Sequence, residues 1–218
     1  MKNKFILVAV AVVVLITGFI LASKSYKAEE TKRLEFVAKE DFRKFVPEYA
    51  PKLGPTNPDV YLVEFLDPEC ESCRLFFPIV KSILQENEGK VQLVVRYAPF
   101  HPNSKFAIKI LEAARKQGKY WETLTVLFQH QPEWGSHHHP RPELIWTYLP
   151  QAGVDIEKIK VDMTDPAIDE MIEQEVKDLN ALGVRGTPTF FVNGRPLETF
   201  GVEPLKDLIQ EEIQKKNN

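Results

Sequence analysis

Hydrophobic positions divide the chain into three stretches. The first is an unbroken apolar run, 5–22 (FILVAVAVVVLITGFILA), with Lys2 and Lys4 before it and Lys24 and Lys27 after it. At ~1.5 Å per residue such a helix reaches roughly 27 Å, close to the ~30 Å hydrocarbon core and longer than the centre of a cleaved signal peptide. The pattern predicts a transmembrane anchor over 5–22 behind a cytoplasmic tail, 1–4. Ala22 and Ser23 are small enough for a cleavage site, but Ile20 and Leu21 stand where another small residue is needed, which favours an uncleaved anchor. In the second stretch, 23–58, Leu34, Val37, Phe42 and Phe45 recur at near-helical spacing among charges. They predict a juxtamembrane helix over 28–46 that carries the domain away from the bilayer. Pro47, Pro51, Gly54, Pro55 and Pro58 then break any regular element, so the compact domain is expected to begin near Asp59.

In the third stretch, 60–66 (VYLVEFL) and 91–97 (VQLVVRY) are β-branched, aromatic and almost wholly apolar, as strands buried on both faces are. Between them, 72–85 has helical periodicity interrupted by Pro78, giving a βαβ unit. A capped helix is predicted over 103–118, and further helical patterns run through 120–130, 142–148 and 156–163. A long helix opens at Asp165-Pro166 and stops at Gly183. Strands at 188–192 and 196–200 flank Asn193-Gly194, a tight hairpin signal, and a helix over 204–214 follows. The fold class is therefore α/β, with a domain over 59–218 that carries a helical insertion at about 103–183.

Composition changes this picture little. With 44% hydrophobic residues, 27% charged residues, 16 Pro against 10 Gly and a net charge of -3, the chain is neither low-complexity nor disulfide-dense. It has no basic footprint for nucleic acid, and none is expected as a partner.

The candidate chemistry lies in two cysteines. Cys70 and Cys73 form a C-x-x-C directly after a strand, at the first turn of a helix. Unpaired amides and the helix dipole there favour a thiolate on Cys70, the expected nucleophile. Cys73, one turn in, is expected to attack the mixed disulfide and release the partner. So short a loop gives little closure entropy, which argues against a merely stabilising bridge.

The segments VEFLDPECESC and GVRGTPTFFVNG, with Pro78 eight positions after Cys70, resemble the thioredoxin fold. The long helical stretch between its halves resembles the DsbA-type thiol:disulfide oxidoreductases of that superfamily. The resemblance implies a redox-active pair, a cis proline facing it and export to the cell envelope. Thr187-Pro188 matches the family's cis-proline pair, and Thr187 is expected to align a substrate chain by strand addition. Glu64, the sole ionisable residue of its apolar strand, matches a family acid. Buried, its pKa should rise, and it is expected to take the proton from Cys73 when that thiol attacks, with solvent-facing placement on an edge strand as the alternative.

The intervening dipeptide, Glu71-Ser72, tunes the pair and lacks the histidine of the family's strong oxidants. Asp67, Glu69 and Glu71 each oppose a thiolate by about 1 kcal/mol in a solvated setting, as much as a helix start offers. They predict a Cys70 pKa near thioredoxin's ~7, well above the ~3.5 of DsbA, and a correspondingly less oxidising disulfide.

His137–His139 form the only biased tract and read as an exposed loop. No metal or other cofactor is expected, although two cysteines with two histidines could make a tetrahedral site. The sequence thus predicts a thiol:disulfide oxidoreductase, single-pass in the inner or plasma membrane through 5–22, with its catalytic domain on the periplasmic or extracytoplasmic side. Its expected partners are reduced or misoxidised exported proteins and a membrane-bound or soluble thiol redox partner. The alternatives are a disulfide isomerase or reductase of the same fold, or a non-catalytic metal-binding module using Cys and His.

Overall fold

The computed structural model describes residues 2–136 and 138–216. Its centre is a five-stranded mixed sheet: β1 (Lys52–Leu53), β2 (Val60–Leu66), β3 (Val91–Tyr97), β4 (Thr189–Val192) and β5 (Arg195–Pro196), in the order β1-β3-β2-β4-β5. β2 and β3 run parallel and the other neighbours antiparallel. The two apolar runs pair in register from Val60 with Val91 to Leu66 with Tyr97, because both can be buried on either face. Asn193 and Gly194 turn the β4–β5 hairpin with φ of 49° and 85°, the left-handed pair that a two-residue turn requires. The second strand of that hairpin is shorter than its sequence suggests, ending at Pro196.

Side chains alternate between two cores. Val60, Leu62, Glu64 and Leu66 of β2 face one, beneath α2 (Glu71–Glu86), the helices of the insertion and α9 (Val202–Lys216). The insertion comprises α3 (Ser104–Arg115), α4 (Tyr120–Gln129), α5 (Gln131–Trp134), α6 (Ile145–Tyr148), α7 (Ile156–Asp162) and α8 (Pro166–Ala181), with 3-10 turns on either side of α6. Val63 and Phe65 face the second core, with Phe191, Leu179 and Leu182.

The amino-terminal segment departs from expectation. α1 (Lys2–Glu40) is one helix, and it is long and apolar enough to cross a membrane. Its apolar part stands clear of the domain, with Val13, Leu15 and Phe19 exposed. Its last turns do not act as a spacer: Leu34 is buried in the second core with Phe45 and Ala50, and Lys52–Leu53 adds an edge strand beside β3. The core therefore reaches back well before Asp59. Leu34, Val37, Phe42 and Phe45, whose spacing predicted a helix, bury themselves against the back of the sheet.

Candidate active site

Both cysteines follow the carboxyl end of β2, where the first turn of α2 begins. Cys70 caps that helix in an extended conformation, its amide donating to Asp67 O at 3.0 Å. Cys73, one turn in, is wholly buried and accepts from the Asp67 amide at 3.5 Å, while Cys70 keeps 8% of its surface. Both are free thiols. The Thr187–Pro188 bond is cis, and Cys70 Sγ donates to Thr187 O at 3.3 Å. Ser72, Gly186, Thr187, Pro188, Leu197 and Phe200 line a groove of about 330 Å³ that runs up to this contact. A larger cavity of about 700 Å³ lies between Gly54 and the far end of α2, away from the sulfurs.

The expected Cys70 pKa near ~7 is not what this geometry produces. The thiol is held down at about 5, chiefly because Cys73 donates to it; burial opposes this, and the Thr187 side chain and the amides of Cys73 and Ser72 add to the lowering. Cys73 is pushed far up by burial, then by its bond to Cys70 and the charge of Glu64. The acids expected to raise Cys70 are turned elsewhere. Asp67 is buried and accepts from Glu69 N, Ser104 Oγ, Phe100 N and His101 N. Its Oδ2 also meets His101 Nδ1 at 2.7 Å, and this carboxylate holds the His101 pKa up although burial opposes it. Glu69 accepts from Asn103 N at 2.7 Å and Asn103 Nδ2 at 2.8 Å. Asn103 therefore serves this loop with its side chain rather than capping α3. Of the acids before and within the motif, only Glu71 is exposed to solvent.

Glu64 lies on the central strand, opposite Val95 and Phe190, and not on an edge. It is 1% exposed, and its Oε1 has no hydrogen-bond partner. Burial, assisted by the charge of Cys70, pushes its pKa up to about 8. The carboxyl stays protonated in the fold while the unfolded chain ionises, so Glu64's own contribution to the stability of the reduced protein is fully present below pH 4.5 and falls as pH rises to about 8. Glu64→Gln should flatten the pH dependence by that share and gain roughly 3–5 kcal/mol over the parent at pH 8, measured by urea unfolding across pH. An unchanged slope in the variant would assign the effect elsewhere.

Sequence reasoning missed Gln131. Buried at the start of α5, its Nε2 donates to Pro68 O at 2.8 Å and Cys70 O at 2.9 Å, and its Oε1 accepts from Arg74 Nε at 3.0 Å. It straps the cysteine loop to the insertion, and no local pattern marks it out. Gln131→Leu should cost about 1–3 kcal/mol in denaturant unfolding because two buried carbonyls lose their donor.

Among the described residues no group of three or more His, Cys, Asp or Glu could hold a metal ion. His137 lies outside the described residues; His138 and His139 are exposed, and His130 stacks on Tyr148 at 3.8 Å between centroids.

A mixed sheet with a C-x-x-C after its central strand and a cis proline against the first sulfur defines the thioredoxin-like α/β class, in the form used by thiol:disulfide oxidoreductases. The chain belongs to the thioredoxin family, which matches residues 48–211. A thioredoxin-like oxidoreductase from Silicibacter pomeroyi superposes with a TM-score of 0.68 at 28% identity, covering 78% of this chain and 96% of that one. The thiol-disulfide exchange protein α-DsbA2 from Wolbachia pipientis superposes at 0.71 with 22% identity, covering 84% and 97%. The family match and these neighbours bear out the thioredoxin-like fold class and the resemblance to that superfamily. Among curated proteins, the Na(+)/H(+) antiporter NhaA of Herminiimonas arsenicoxydans is 34% identical over 144 residues, 66% of this chain and 22% of that protein. The chain thus spans about a fifth of the length of the curated relatives it matches.

Proposed function

We propose that this chain is a thiol:disulfide oxidoreductase that oxidises thiol pairs of exported proteins, held by α1 in the inner or plasma membrane with its domain on the extracytoplasmic side. The observation that carries this reading is the asymmetry of the pair: Cys70 at about 5, in contact with Thr187 at the end of a groove, against a buried Cys73 that stays protonated. A low nucleophile pKa stabilises the reduced form and so makes the disulfide the stronger oxidant. In the oxidised enzyme a substrate thiolate attacks Cys70 Sγ, the Cys70–Cys73 bond breaks, and the electron pair leaves on Cys73. A second substrate thiolate then displaces Cys70, so the substrate loses two electrons and two protons and the enzyme gains them. A membrane-bound or soluble thiol redox partner takes them on.

Thr187 and Pro188 form the wall on which an extended chain lies, its backbone pairing at Thr187 as an added strand. Glu64 accepts the proton when Cys73 turns nucleophile in resetting the enzyme, a transfer open to the ionised fraction of its carboxyl, which grows as pH approaches about 8. Glu71 and Ser72 tune the pair, Ser72 through its amide. At a fifth of their length, the antiporter relatives lend no transport activity to this reading.

The reduction potential of the couple is the direct test. We expect a value clearly above thioredoxin's ~-270 mV and toward the ~-120 mV of DsbA, with stoichiometric oxidation of a reduced dithiol peptide. A couple at or below ~-270 mV, or rescue of scrambled disulfides without net oxidation, sinks the oxidase assignment in favour of a reductase or isomerase.

A further inference from the structure

The helix that carries the apolar segment also reaches the rim of the groove. α1 continues unbroken from its apolar run to Glu40, with no Gly or Pro after Gly18. Its end is fastened at several points. Leu34 is buried, Arg33 Nη1 donates to Ala181 O at 3.2 Å, and Ala38 lies so close to Gly194 that a Cβ added there would stand 2.4 Å from its own. Thr31 Oγ1 donates to Glu198 Oε1 at 2.9 Å, and Glu198 lines the same groove as Pro188 and Phe200.

From Ala22, where the apolar run ends, to Thr31 the helix rises only about 13 Å. The head-group layer occupies about 5–7 Å of that rise. The rim at Glu198 therefore stands within about 10 Å of the water-facing membrane surface, and tilt brings it nearer. A flexible linker would let the site sample many heights, whereas a docked helix leaves only tilt. The lip of the groove is apolar as well: Phe200 is 55% exposed and packs on Phe76 at 4.5 Å. The first residues outside a span are enriched in Trp and Tyr, rings that an exposed Phe200 can meet.

We propose that α1 is a rigid strut fixing the groove just above the bilayer, and that the preferred substrates are membrane-attached chains whose cysteines lie in the first residues outside their span. The proposal rests on the oxidoreductase reading and narrows its substrates by height. It is tested with the full chain, pre-oxidised, in phosphatidylcholine vesicles with the domain outward. The probes are synthetic membrane-spanning peptides whose dithiol sits about 5, 15 or 40 residues beyond the span on a Gly-Ser spacer, with a soluble dithiol peptide in detergent as control. The nearest dithiol should be oxidised at least tenfold faster than the farthest. An insertion of about 18 helical residues, five turns and ~27 Å, between Lys27 and Ala28 should move the optimum outward. A Gly-rich replacement of 25–28 should flatten the profile, with both variants still oxidising the soluble peptide. Equal rates at all three distances, or an optimum the insertion leaves in place, overturn the strut while the oxidoreductase reading survives. No oxidation of the soluble peptide by the parent protein, or release of the chain from vesicles by alkaline carbonate, removes the reading beneath it.

Discussion

Cys70→Ser is expected to lose at least ~10³-fold in dithiol oxidation, because no other group near the groove can accept the attack of a substrate thiolate. Cys73→Ser should lose turnover as completely but leave a different trace. The serine hydroxyl at position 73 can donate to Cys70 in place of the thiol, beside the Thr187 side chain and the amides of residues 72 and 73, so Cys70 remains a thiolate at neutral pH and any disulfide it captures cannot be resolved from within. Incubation with an oxidised peptide should therefore accumulate a mixed disulfide, visible as a mass increase on a non-reducing gel, in Cys73→Ser and not in Cys70→Ser. Turnover retained in Cys70→Ser, or capture through Cys73 alone, would falsify the assigned order. The order follows from exposure: Cys70 keeps surface at the groove while Cys73 is sealed beneath it with Asp67 N on its sulfur.

Arg96→Leu is expected to cost about 3–5 kcal/mol, the largest stability loss of any polar substitution here. Arg96 is wholly buried in β3. Its Nε donates to both Glu175 oxygens at 2.9 Å, Nη2 donates to Asp178 Oδ2 at 2.7 Å, and Nη1 bonds Lys44 O. Its guanidinium lies 5.2 Å from the Phe65 ring centroid. The side chain ties the sheet to α8 and to the turn after α1. Its loss leaves Glu175 buried without a cation, and a buried unpaired charge costs more than the pair contributed. For a domain of this size the change corresponds to a fall of roughly 6–20 °C in Tm. Replacing Arg96, Glu175 and Asp178 together with apolar residues should recover most of it. A single-variant loss below ~1 kcal/mol would mean the network is dispensable.

Much of the site is legible in local sequence. An apolar strand followed by C-x-x-C shows where the sulfurs sit, because strand burial and helix starts are properties of short segments. Asn193-Gly194 marks the hairpin for the same reason, since few residues adopt its left-handed backbone. Glu64 is conspicuous as an acid in an apolar run, but whether its strand is central depends on partners more than 100 residues away in Phe190. Gln131 and Asn103 carry no local mark at all; they matter through what they touch.

The charge balance at Cys70 shows the division most sharply. Counting acids along the chain predicts a thiol near ~7, because in solvated chain Asp67, Glu69 and Glu71 would each repel a thiolate. Folding turns Asp67 and Glu69 onto the 100–104 loop, where hydrogen bonds satisfy them, and brings Cys73 and Thr187 to the sulfur. The residue types, their spacing and the apolar span were thus present in the linear order. The direction in which each side chain points, the docking of α1 beside the groove and the acidity of Cys70 arise from contacts between segments far apart in the chain. Electrostatic and hydrogen-bond energies depend on distance in space, and the linear order does not hold that distance.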